Sequence, residues 1–171
     1  MQTMATSAHE SGNKPPPLSI AVRALLARDV ASVLNIEKLS YANPWTADDL
    51  RRVLKRKHCS AFVAIINQQT VGYVVLEALP RTLQVLNMAV HPHVRRRGIG
   101  RKLIGWLADQ LGSTDRRRIV TEVRETNLAM QLFLREVHFK AVEVLPKYYD
   151  DCSEDAYRFV YDLPCSNNAA P

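Results

Sequence analysis

The chain has 171 residues, 47% of them hydrophobic and 23% charged, with a formal net charge of +6. That length fits one domain able to bury most of its unfolded surface. No apolar run approaches the roughly 18 residues needed to span a bilayer, and no basic-then-apolar signal segment opens the chain, so a cytoplasmic protein without membrane contact is expected.

Cys59, Cys152 and Cys165 lie far apart with no C-x-x-C spacing, which fits a reducing compartment and argues against zinc. No metal is expected, and Cys59, just before an apolar stretch, reads as core. Positive charge gathers in three clusters: Arg51 to Lys57, Arg95 to Lys102, and Arg116 to Arg118. Such surfaces attract the phosphates of nucleic acid or of a nucleotide cofactor, or are simply solvated. Aromatic residues do not interleave with them as stacking platforms, so direct nucleic-acid binding is not expected.

Residues 1–17, with Pro15-Pro16-Pro17, read as a disordered extension, and 164–171 as a flexible tail, leaving 18–163 as the folded domain. Leu18 to Leu25 alternates as an edge strand. Asp29 to Leu39 carries apolar Val30, Val33, Leu34 and Ile36 at helical spacing. Asn43-Pro44 breaks that helix, and Thr46 can cap the next, with Asp48 and Asp49 in its first turn. Ser60 to Ile66 and Val71 to Leu76, joined across 67–70, predict a hairpin, and Gln84 to Val90 a third strand.

Where that third strand ends stands Arg95-Arg96-Arg97-Gly98-Ile99-Gly100, followed by a helix from Arg101 to about Leu111. A glycine-containing strand-to-helix turn exposes several main-chain N–H groups at a positive helix end, a cradle for pyrophosphate. The pattern R-x-x-G-x-G is neither the dinucleotide fingerprint G-x-G-x-x-G nor the Walker loop. A strand at Ile119 to Val123 follows, then Asn127, a helix with Met130, Phe133, Leu134 and Val137 on one face, and two final strands. Alternating strand and helix here implies a parallel crossover. The whole predicts an α/β fold with a mixed sheet of six to seven strands and about four helices.

Four segments, taken in order, resemble the GNAT acetyltransferases: Asn43-Pro44-Trp45-Thr46; Asn87-Met88-Ala89-Val90 running on to Gly100; Glu122-Val123-Arg124 with Asn127; and Tyr148-Tyr149 with Glu154-Asp155-Ala156. The resemblance covers about Leu18 to Leu163. It is strongest to the N-terminal protein acetyltransferases, in particular the RimI-type ribosomal-protein alanine N-acetyltransferases. It implies the GNAT fold, acetyl-coenzyme A as cosubstrate and the N-terminus of a protein, possibly ribosomal, as partner.

The resemblance also implies roles. Arg95, Arg96, Arg97, Gly98, Ile99, Gly100 and Arg101 would hold the pyrophosphate. Met88, Ala89 and Val90 would hold the pantetheine arm, with one N–H as the oxyanion donor, and Asn127 would bind the arm or cap its helix. Glu122 would be the general base, a role that partial burial suits. The competing reading pairs it with Arg124 or another arginine. Tyr148 and Tyr149 would grip the substrate's first residues opposite a wall of Pro44 and Trp45. One departure stands out: the family's tyrosine acid, seven residues after Asn127, is Leu134 here, and His138 replaces a glycine. Tyr148 or Tyr149 would then supply the proton, or none is supplied. Oligomeric state is not specified by the sequence.

Overall fold

The computed structural model describes residues 19–149 and 153–164. The expected extension at 1–17 and the tail beyond Pro164 therefore lie outside the described residues. In chain order the elements are β1 (Ala21–Ala24), α1 (Val30–Ser40), α2 (Ala47–Leu54), β2 (Cys59–Ile66), β3 (Gln69–Ala78), β4 (Thr82–Val90), α3 (Ile99–Gly112), β5 (Arg118–Arg124), α4 (Leu128–Glu136), β6 (Lys140–Tyr149) and β7 (Glu154–Asp162). Short 3-10 turns at Ala27–Asp29 and Pro92–Val94 precede α1 and α3.

The strands form one seven-stranded sheet in the order β1-β2-β3-β4-β5-β7-β6. Among the described residues only the β4–β5 pair is parallel, and α3 makes its crossover. The mixed αβ sheet thus matches the sequence expectation at the upper strand count. β1 is Ala21–Ala24, laddered with Phe62 to Ile65, and the Leu25 N–H still bonds the Ala61 carbonyl at 2.9 Å; Leu18 lies outside the described residues.

Period-two alternation sends residues to two cores. Val74 and Leu76 of β3 join Leu103, Leu107 and Leu111 of α3 and Leu134 of α4 on one face. Tyr73 and Val75 join Val33 and Ile36 of α1 and Leu50 of α2 on the other. Thr46 caps α2 as expected: its hydroxyl accepts from the Asp49 N–H at 3.2 Å, and the Asp49 carboxylate accepts from the Thr46 N–H at 3.0 Å. The β2–β3 loop is two residues, Asn67 and Gln68, both with positive φ (48° and 65°). That is the twist a tight hairpin needs, built here without glycine. Cys59 is half-buried at the start of β2, not a core residue. Among the described residues no helix is long and apolar enough to cross a membrane.

Candidate active site

The site begins with a split in the sheet. β4 and β5 pair only from Thr82↔Arg118 to Val85↔Thr121, whereas β4 stays paired with β3 to Val90 and β5 with β7 to Arg124. A bulge beside Leu86 starts the divergence. The His91 N–H donates to the Val71 carbonyl at 2.9 Å. Alternation along an antiparallel ladder then turns the main-chain groups of Ala89 and Asn87 toward β3, and those of Met88 and Val90 toward the gap. The gap side is also where the Met88 carbonyl accepts from the Tyr41 hydroxyl at 2.6 Å and the Val90 carbonyl from Arg95 Nε at 2.9 Å. Of the three residues expected to hold the arm, Met88 and Val90 face the split. Ala89 does not: its methyl lies in the α1/α2 core.

At the end of β4 the chain turns through Arg96 (φ 64°) and Gly98 (φ 82°) into α3. The Lys102 N–H bonds the Gly98 carbonyl at 2.9 Å, so the N–H groups of Ile99, Gly100 and Arg101 have no partner within the helix. They stand at its positive end. The Ile99 side chain is core, 1% exposed, so this residue offers only its main chain to the turn. Arg95 is exposed; its Nη2 donates to Ser40 Oγ at 2.9 Å and ties the turn to α1. Arg96 and Arg97 are exposed. Arg101 is paired with Glu136 at 2.6 Å. A Cβ on Gly98 would meet nothing within 4 Å, so that glycine serves its left-handed φ. A Cβ on Gly100 would sit 3.0 Å from Phe133 Cζ, so α4 sets that requirement.

Glu122 lies on β5 beside the divergence, its side chain 11% exposed. Oε2 accepts from Gln84 Nε2 at 2.5 Å and Oε1 from Arg158 Nε at 3.0 Å, while Arg158 Nη1 bonds Glu143. The ion pair is thus made with Arg158 of β7. Arg124 instead pairs with Glu154 at 2.9 Å and stacks over the Tyr149 ring, 3.8 Å from its centroid. Tyr148 and Tyr149 meet edge to face, centroids 5.1 Å apart. The Tyr149 hydroxyl is 3.5 Å from the Glu122 carbonyl, and burial pushes its phenol up to about 12. Tyr148 is half exposed, and partial burial with Glu122 nearby also raises its phenol.

Pro44 and Trp45 line an open cavity of about 620 Å³ with Asn43, Asp49, Arg52 and Val53, and Trp45 also packs on the α1/α2 core. Asn127 caps α4, its Oδ1 accepting from the Met130 N–H at 3.1 Å. Leu134 is wholly buried in the α3/α4 core.

Several residues here escaped the sequence reading. Glu37 of α1 is 1% exposed; Asn87 Nδ2 donates to its Oε1, and Oε2 is buried without a direct partner. Burial raises its carboxyl above the ordinary range, against the opposing pull of Tyr73, Asn87 and the Trp45 main chain. The Tyr73 hydroxyl donates to Asn87 Oδ1 at 3.2 Å. A signal did exist: Glu37 falls in the apolar phase of α1 beside Val33 and Ile36, with Tyr41 one turn on. Gln84 and Arg158 carry no such mark.

An anionic nucleotide with a long amide-bearing arm fits these groups. Free helix-start N–H groups and exposed arginines suit the phosphates, and the gap edge of β4 offers main-chain partners to the amides. Comparison with known proteins agrees. Residues 30–139 match the model of the acetyltransferase (GNAT) family. The chain is 24% identical over 147 residues to the ribosomal protein bS18-alanine N-acetyltransferase of Escherichia coli (strain K12), covering 85% of this chain and 97% of that one. It is 28% identical over 142 residues to an N-alpha-acetyltransferase of Saccharolobus solfataricus, covering 75% and 84%. The crystal structure of the Escherichia coli ribosomal-protein-S18-alanine N-acetyltransferase superposes with a TM-score of 0.76 at 21% identity, over 90% of this chain and 99% of that chain, and shares the fold. The chain belongs to the acetyltransferase (GNAT) family and is an acetyl-coenzyme-A-dependent N-acetyltransferase.

Proposed function

We propose that the protein acetylates the N-terminal α-amine of another protein by direct attack within a ternary complex, without an acyl-enzyme. The observation that carries this reading is the position of Glu122 beside the β4–β5 divergence, next to the Tyr148–Tyr149 pair. Acetyl-coenzyme A supplies an activated acyl group and a thiolate leaving group. The helix-start N–H groups of Ile99, Gly100 and Arg101, with Arg96 and Arg97, hold its phosphates. Met88 and Val90 hold the arm, and one of their N–H groups steadies the oxyanion. Asn127 contributes from the start of α4. Glu122 takes the amine proton through a water, and Tyr148, Tyr149, Pro44 and Trp45 form the slot for the incoming N-terminus.

The amine sets how hard the base must work. An α-amine of pKa about 7.7–8.0 is roughly a tenth neutral at pH 7, a lysine near 10.4 only a few parts in ten thousand. A tethered carboxylate suits the former. By likeness to the Escherichia coli relative, the substrate is a ribosomal protein beginning with a small residue such as alanine. A peptide panel with free and blocked N-termini, read by mass spectrometry, tests this. Acetylation of blocked lysine-containing peptides, or of small amines alone, would move the assignment to the competing amine class.

One pair of observations favours a second reading, an acetyl-coenzyme-A-binding protein without turnover. Leu134 removes the usual acid, and both oxygens of Glu122 are already engaged. Thiol release with any free-N-terminus peptide excludes it.

A further inference from the structure

We propose that Tyr41 is the proton donor to the departing sulfur, taking the role left open at Leu134. This rests on the acetyl-transfer reading above and adds to it a residue from α1's C-terminal end.

The donor must present an O–H at the edge of β4 that faces the gap, where the reactive end of the arm is held. Tyr41 does so, donating to the Met88 carbonyl at 2.6 Å. Its ring lies within electrostatic reach of Arg95 in the turn, of Tyr149 on β6, and of Glu37 and Tyr73 on the core side. Tyr73, Tyr148 and Tyr149 are worse placed. Tyr73 spends its hydroxyl on Asn87 and is 1% exposed. The Tyr149 hydroxyl is directed at the β5 main chain, 3.5 Å from the Glu122 carbonyl. Tyr148 is 47% exposed. Leu134 has no proton to give.

Burial, with Glu37 acting in the same direction and Arg95 opposing, raises the Tyr41 phenol far above its usual range, so it keeps its proton throughout neutral pH. The hydroxyl can leave the Met88 carbonyl by rotation about its own C–O bond, without backbone movement. As the carbon–sulfur bond breaks, its electron pair passes to sulfur and the Tyr41 proton follows, giving the thiol. The amine's proton has gone to Glu122. Solvent then returns a proton to the Tyr41 oxygen and accepts one from Glu122, so the balance closes with amide and thiol as products.

Tyr41→Phe tests this in the full chain, with Tyr148→Phe and Tyr149→Phe alongside. With a free-N-terminus peptide, Tyr41→Phe should lower kcat about 100-fold with both KM values little changed. A binding readout is independent of turnover. At pH 9.5, where a thiol of pKa about 8.5 is ionised, calorimetry should show coenzyme A bound about tenfold more weakly by Tyr41→Phe than by wild type. Acetyl-coenzyme A, with no thiolate, should bind both equally. Unchanged kcat and thiolate affinity overturn the proposal. So does equal loss of both ligands, which makes Tyr41 merely structural, and so does transfer of the losses to Tyr148→Phe or Tyr149→Phe. If wild type acetylates no peptide, the functional reading fails, while the binding comparison still decides the role of Tyr41.

Discussion

Arg158 Nε lies 3.0 Å from Glu122 Oε1 while Gln84 Nε2 holds Oε2 at 2.5 Å, so strands on both sides of β5 fix the plane of this carboxylate. Each oxygen keeps a second lone pair for a water. Glu122→Gln removes the charge and nearly preserves the shape. It should lower kcat about 10²- to 10⁴-fold while the acetyl-coenzyme A dissociation constant, read by calorimetry, stays within about twofold. Turnover equal to wild type would take Glu122 out of the mechanism.

The turn makes a second prediction. Gly100→Ala places a Cβ 3.0 Å from Phe133 Cζ, so the ring or the start of α3 must shift. We expect a loss of about 1–2 kcal/mol in urea unfolding and weaker acetyl-coenzyme A binding. Phe133→Leu in the same chain should recover part of both, a non-additive pair. Strict additivity would show that the contact is not the cause. Gly98→Ala has room but must hold φ near 82°, and should cost about 1 kcal/mol with no rescue from Phe133→Leu.

How much of this was legible in the chain follows from where each signal is stored. The strands and helices were written in local periodicity: β3 could be recognised from its own residues, as could the Thr46 cap and the turn at Gly98. The R-x-x-G-x-G pattern was likewise enough to mark the start of α3. What the chain hides are partners distant in sequence. Glu122 and Arg158 are 36 residues apart and meet only because β7 inserts between β5 and β6. Glu37 and Asn87 are 50 apart and meet only because α1 lies across β4. Which of Met88, Ala89 and Val90 turn their main chains to the gap was hidden for a subtler reason: three consecutive strand residues cannot all do so, and register alone decides which do.

Trp45 allows substrate contact to be separated from cosubstrate contact. Trp45 lines the open cavity with Pro44 and Val53, on the α1–α2 connection and not in the turn at Gly98. Trp45→Ala should raise KM for the peptide about tenfold and leave acetyl-coenzyme A affinity unchanged, with about 2 kcal/mol lost from unfolding because the partly buried side chain packs on the α1/α2 core. An unchanged peptide KM would make Trp45 a core anchor alone.

Asp29 gives the prediction with a pH sign. Its carboxylate, 4% exposed, accepts from Arg23 at 2.6 and 2.9 Å, from the Leu26 N–H at 2.8 Å and from Thr70 Oγ1 at 3.0 Å. Arg23 foremost, with Leu26 and Thr70, holds its acidity well below the usual carboxylate range despite the opposing cost of burial. The folded chain therefore binds this proton less readily than the unfolded one, whose value is about 3.9. The stabilisation is complete above that value and fades as pH falls through the lower folded one. Asp29→Asn should cost about 2 kcal/mol at pH 7, the pair being partly open to solvent. The gap from wild type should be constant between pH 8 and pH 5 and narrow by pH 3, as read from urea midpoints. A gap that stays the same at pH 3, or widens, would mean that shape at position 29, rather than its charge, secures the Arg23 contact.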